Sequence, residues 1–167
     1  MPQASVTLDE YRTSGAARYL AGRIARARIE AVARSANVAL QFVTVGPTYE
    51  FAAFADGNGD GVRTRDITHG VDPRLTPPER LADNFPGVDF GVLASVPAIE
   101  GGSLPPGSDP IRLGSANLLS CSPAGTSSSG TLYVRGRSVQ FAVRVYGDTG
   151  RVRLFRYDAR AGQWKQQ

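Results

Sequence analysis

The 167-residue chain contains one cysteine, one histidine, one tryptophan and one lysine. Each scarcity excludes something. Cys121 alone cannot form an internal disulfide or a multi-cysteine zinc site. His69 alone cannot build a multi-histidine metal site, and it leaves histidine-based catalysis without a partner. No apolar run reaches the ~20 residues that span a bilayer. The chain has no phosphate loop, no dinucleotide fingerprint and no Gly-x-Ser-x-Gly elbow. These gaps point away from an enzyme.

Arginine, glycine and proline are abundant. With 19 Gly, 11 Pro and 41% hydrophobic residues, the composition is globular and rich in turns. The length suits one domain able to bury roughly two-thirds of its unfolded surface. Net charge is +4, and it is unevenly spread. Residues 1–36 carry six Arg against three acids, residues 37–134 five Arg against ten acids, and residues 135–167 eight bases against two acids. Two basic ends therefore flank an acidic middle, which suggests a polyanion site near the C-terminus.

Ala17, Leu20, Ile24, Ala27 and Ala31 recur at three- and four-residue steps. This predicts a helix with one Ala-rich stripe. Thr7 or Asp9 is the expected N-cap, the helix is expected to end near Ser35, and Asn37 is the expected C-cap. Residues 38–45 and 49–55 read as a hairpin about Gly46-Pro47. Residues 56–109 read as loop, apart from a strand at residues 88–93, and are expected to cover a sheet edge. Residues 131–134 should pair with residues 138–146 across residues 135–137. In the second of these, Val139, Phe141, Val143 and Val145 alternate onto one face. Residues 151–157 form a further strand, with Arg151, Arg153, Phe155 and Tyr157 opposite Val152, Leu154 and Arg156. Three parts result: helix (1–36), β-rich head (37–157) and a polar tail (158–167) held only by Trp164.

Two constellations carry potential chemistry. Asp56, Asn58 and Asp60 stand at positions 1, 3 and 5 of a calcium-loop pattern, with Gly61 at position 6. Asp66 falls one residue early, and Ile67 occupies the place of the closing Glu. A bound calcium and a plain turn between strands both remain open. The second is Gly150-Arg-Val-Arg153. Alternate arginines point one way and can meet successive phosphates, and Phe155 and Tyr157 extend the face with rings. Arg144 and Arg156 add charge nearby. A strand with solvated arginines is the alternative.

The order of these elements resembles a known family. It runs Asn117-Leu-Leu-Ser-Cys-Ser-Pro-Ala-Gly125, a Ser/Thr patch, Gly130-Thr-Leu-Tyr-Val134, a long alternating strand, then Gly150-Arg-Val-Arg153. Together with the helix from Ala16 to Arg34, this is similar to the soluble domain of GspH/FimT-type minor pilins and pseudopilins. The resemblance implies a pilin-like α+β fold, with a long N-terminal helix packed on antiparallel sheets. It implies a non-enzymatic filament subunit, with other pilin or pseudopilin subunits as partners. It further implies a preceding hydrophobic helix, absent here, that anchors the precursor in the bacterial inner membrane with the head periplasmic or exterior. Leu20, Ile24 and Ala27 would join the filament packing. A FimT-like member would capture double-stranded DNA with its basic C-terminal patch. A type II secretion H-like member would contact neighbouring pseudopilins instead.

Overall fold

The structure, a computed structural model, describes residues 2–167. It is α+β: one long N-terminal helix packs on antiparallel sheets. Helix α1 spans Pro2–Arg34, and its inward stripe is Asp9, Thr13, Ala16, Ala17, Leu20, Ile24, Ala27 and Ala31, all buried. The small alanines let the helix axis sit close to the strands beneath. No described helix is long and apolar enough to cross a membrane.

Both expected caps of α1 fall elsewhere. Thr7 lies inside the helix, and its hydroxyl donates to the Gln3 carbonyl at 2.9 Å. Asp9 is also internal and caps something remote: its carboxylate accepts from Arg137 N at 2.8 Å, Ser138 N at 2.8 Å and Ser138 Oγ at 2.9 Å. The C-terminus closes at Ser35 rather than Asn37. Ser35 takes φ +50, Ala36 N donates to Ala31 O and Ser35 N to Val32 O, the paired bonds of a Schellman end.

Strands β1 (Val38–Val45) and β2 (Thr48–Ala55) form the expected hairpin, with Gly46 at φ +60 in the two-residue turn. Strand β7 (Leu118–Cys121) pairs with the other edge of β1 and completes a three-stranded sheet.

The larger sheet contains β8 (Gly130–Arg135), β9 (Gln140–Tyr146) and β10 (Arg151–Asp158) in antiparallel succession. Short strands β3 (Asp89–Phe90) and β6 (Ile111–Arg112) both pair with the far edge of β8. Val139, Phe141, Val143 and Val145 enter the main core beside Leu20 and Ile24, as their alternation requires. Phe42, Phe51 and Phe90 meet ring to ring between the sheets.

The middle segment is more ordered than the expected loop. It holds helices α2 (Thr64–Thr68) and α3 (Leu81–Asn84) and the hairpin of β4 (Val96–Pro97) with β5 (Ser103–Leu104). It does cover an edge: Glu79 exchanges both backbone bonds with Phe51, and Leu75 N donates to Ala53 O at 2.7 Å. The tail also differs from expectation. Gln163–Gln166 is strand β11, paired with β10 after a turn capped by Asp158, which accepts from Arg160 N and Ala161 N. Trp164 anchors it by donating Nε1–H to the Pro97 carbonyl at 2.7 Å.

Candidate functional site

The site grows from the register of β8, β9 and β10. In antiparallel pairing, directly opposed residues point to the same face. Arg112 opposes Thr131, Thr131 opposes Arg144, and Arg144 opposes Arg153, so one row crosses four strands. The next row toward the sheet end places Arg151 opposite Tyr146. This is the outer face, away from α1.

Charge pairing within the row is unequal. Arg112 Nε reaches Glu100 Oε1 at 3.1 Å. Arg144 Nη1 donates to the buried Thr131 hydroxyl at 2.9 Å, and its guanidinium lies 5.6 Å from the Tyr146 ring centre. Among the described residues, no carboxylate stands within 4.0 Å of Arg144, Arg151 or Arg153. Two arginines opposed on adjacent strands repel each other, so Arg144 and Arg153 gain if an anion sits between them. Arg151, Arg153, Tyr146 and Phe155 line an open groove that ends at the Gly147–Gly150 turn.

Two of the six residues expected here lie elsewhere. Arg156 points to the helix side, 3.3 Å from Glu10, so it is removed from the patch. Alternation along β10 demands this, because 156 is even-numbered and 151, 153 and 155 are odd. Tyr157 does share the outer face, but its ring packs on Trp164 at 5.2 Å in the satellite core. Phe155 is half-buried beside the same core and still borders the groove. Tyr146 shares the face of Arg144 by alternation along β9, whereas Arg112 and Thr131 join the site through cross-strand pairing and Glu100 through its bonds to Arg112 and Tyr133, which no local pattern encodes.

Just beyond this patch the same face is covered. Tyr133, Ala142, Val92, Val96, Ala98 and Leu104 form a second core, with Trp164 laid across it. The Tyr133 hydroxyl donates to Glu100 Oε2 at 2.7 Å and accepts from Ile99 N at 2.9 Å. Burial pushes the Glu100 carboxyl up, but the bonds from Tyr133 and Thr131 and the charge of Arg112 outweigh it and hold it below the usual value. Glu100 therefore marks an ionised border between the covered and bare halves.

The glycine-rich loop does not assemble a cation cage. The Asp56 carboxylate accepts from Asn58 N at 3.1 Å, Gly59 N at 2.8 Å and Gly61 N at 2.8 Å, a self-capped turn. Asp60 faces Arg63 at 3.5 Å, and buried Asp66 accepts weakly from Asn58. No three acidic, His or Cys side chains among the described residues are grouped to hold a metal ion. Asp56, Asn58 and Asp60 belong to this turn, whereas Asp66 lies on α2 beside Arg65.

Leu20, Ile24 and Ala27 are 0%, 0% and 3% exposed, packed into this domain's own core. They cannot also touch a neighbouring subunit, so that assignment is corrected. The large apolar residues that α1 exposes are Val6, Leu8, Tyr11, Ile29 and Val32. Cys121 is fully buried, and burial pushes its thiol up to about 11, which makes it unreactive. His69 is an exposed loop residue whose Nδ1 lies 2.8 Å from the Arg65 carbonyl.

No family model matches the chain, nor does any curated protein or solved structure.

Proposed function

We propose that this chain is the head of a GspH/FimT-type minor pilin, a non-enzymatic filament subunit that captures DNA through Arg144, Arg151 and Arg153. In this reading a hydrophobic helix ahead of α1 anchors the precursor in the inner membrane, and the head faces the periplasm or exterior. The observation that carries it is the arginine cluster on the bare half of the outer face, whose Arg144, Arg151 and Arg153 have no carboxylate in ion-pair reach among the described residues, with Asp148 lining the groove only at its turn end. Guanidinium groups so placed match phosphate oxygens, because they donate in a planar fork and stay charged. The pilin-like part rests on a long helix laid over antiparallel sheets and on the order of turns from Asn117 to Arg153.

One observation favours a second reading, an H-like pseudopilin in type II secretion. Ile29 and Val32 are 68% and 59% exposed on the outer side of α1, beside Ala25 and Ala33. Exposed side chains of this size suit contact with another subunit.

Titration with DNA at several salt concentrations tests the first reading. Each phosphate contact contributes a slope of about −0.9 in log affinity against log salt for duplex, so three arginines predict about −3. Absent or salt-independent binding would leave the secretion-type reading standing alone.

A further inference from the structure

The basic patch is half of a face whose other half is walled, and this geometry restricts what can lie on it. The segment through β4 and β5 rises over Tyr133 and Ala142, one row from Arg144 and Arg153. Side chains on one face repeat every second residue, so the bare strip starts about 7 Å along the strands from that wall. At the border stands Glu100, whose carboxylate repels phosphate. The strip ends at the Gly147–Gly150 turn. It is therefore short and one-sided.

Rings line the strip as well as charge. Tyr146 is 37% exposed and carries the Arg144 guanidinium against its face. Phe155 borders the same groove beside Arg153. A base continues such a stack, because its π-face fits on an aromatic ring or on a guanidinium plane. In a duplex the bases are already stacked, and only phosphates are offered to a flat face. The rings would then contribute nothing.

Resting on the nucleic-acid reading of this patch, we propose that its ligand is single-stranded DNA rather than duplex. Arg144, Arg151 and Arg153 hold successive phosphates, and Tyr146 with Arg144 stacks a base. Phe155 flanks the next base position at the foot of the Tyr133 wall.

The test compares a 12-nucleotide oligothymidine with a 12-base-pair duplex by fluorescence anisotropy at three salt concentrations. The variants are Tyr146→Ala, Tyr146→Phe and the pair Arg151→Glu with Arg153→Glu. All sit at exposed or half-exposed positions, and thermal melting checks that each is folded. The expected result is single-strand affinity at least tenfold above duplex affinity. Tyr146→Ala should lower single-strand affinity by about 5- to 100-fold and duplex affinity much less, through the loosened Arg144 alone, and Tyr146→Phe should restore both. Duplex binding as tight as single-strand binding overturns the inference and leaves the basic-patch reading intact. So does a single-strand preference that survives Tyr146→Ala. If the arginine pair can be reversed without weakening either ligand, the basic-patch reading fails as well.

Discussion

The outer face of the six-stranded sheet has two halves that share strands but not chemistry. Around Tyr133 and Ala142 the face is dry, roofed by the β4–β5 hairpin and Trp164. One row further along β8, β9 and β10 it is bare and basic, with Arg144, Arg153 and Arg151. Register places an apolar row beside a charged one, and the covering segment stops between them. Glu100 sits at the edge, bonded to Tyr133 on one side and to Arg112 on the other. The covered half contributes stability. The bare half contributes little to stability and supplies a surface on which a polyanion gains.

That contrast can be broken most severely from the covered side. Tyr133 is fully buried, and its hydroxyl is bonded twice. Tyr133→Ala should cost about 3–5 kcal/mol, read from denaturant unfolding. A cost below ~1 kcal/mol would show that the roof is not a true core.

Next in size is the support of the β8–β9 turn. Asp9 on α1 caps the β8–β9 turn, and Gly136 lies so close that a Cβ there would stand 2.4 Å from Asp9 Oδ1. Asp9→Ala leaves these donors unpaired and should cost about 2–3 kcal/mol. Burial pushes the Asp9 carboxyl up, but the bonds from Arg137 and Ser138 outweigh it and set its pKa below the ordinary value. A carboxylate lowered by folding contributes stability that is present above its unfolded pKa, about 3.9, and is lost as pH falls through the folded value. The melting temperature should therefore drop below about pH 4, and Asp9→Asn should remove this part of the acid dependence. An unchanged acid profile in Asp9→Asn would place the loss at other carboxylates.

The smallest expected effect lies at the border. Glu100→Gln keeps the side chain's shape and releases Arg112 from its ion pair. DNA affinity at low salt should rise about two- to threefold, the scale of one partly exposed charge pair. A fall in affinity would mean that Glu100 organises the site rather than bounding it.

Much of the fold is legible in the residues, and the gaps have physical causes. The valines of β9 alternate strictly because one face meets α1, so their pattern reads directly as burial. The α1 stripe is equally plain, but its period cannot say whether it packs within the domain or on another chain; Leu20, Ile24 and Ala27 pack within the domain's own core. Asp9 looks like a cap, and it is one, for a turn 128 residues away. Strand β11 has no apolar alternation, since backbone pairing with β10 and one tryptophan hold it. At the site, Arg151 and Arg153 were visible from spacing alone. Arg144 becomes their neighbour through cross-strand pairing, and Arg156 leaves the patch by parity.

On the proposed function, the bare half of this face holds nucleic acid without holding the fold together. The most direct measurement is the salt dependence of DNA binding by Arg151→Glu with Arg153→Glu, beside its unfolding free energy. Stability should stay within about 0.5 kcal/mol of the parent. The binding slope should weaken by at least ~1.4, two single-strand phosphate contacts, with affinity falling accordingly. Unchanged binding, or a loss of binding that tracks a loss of stability, would contradict it.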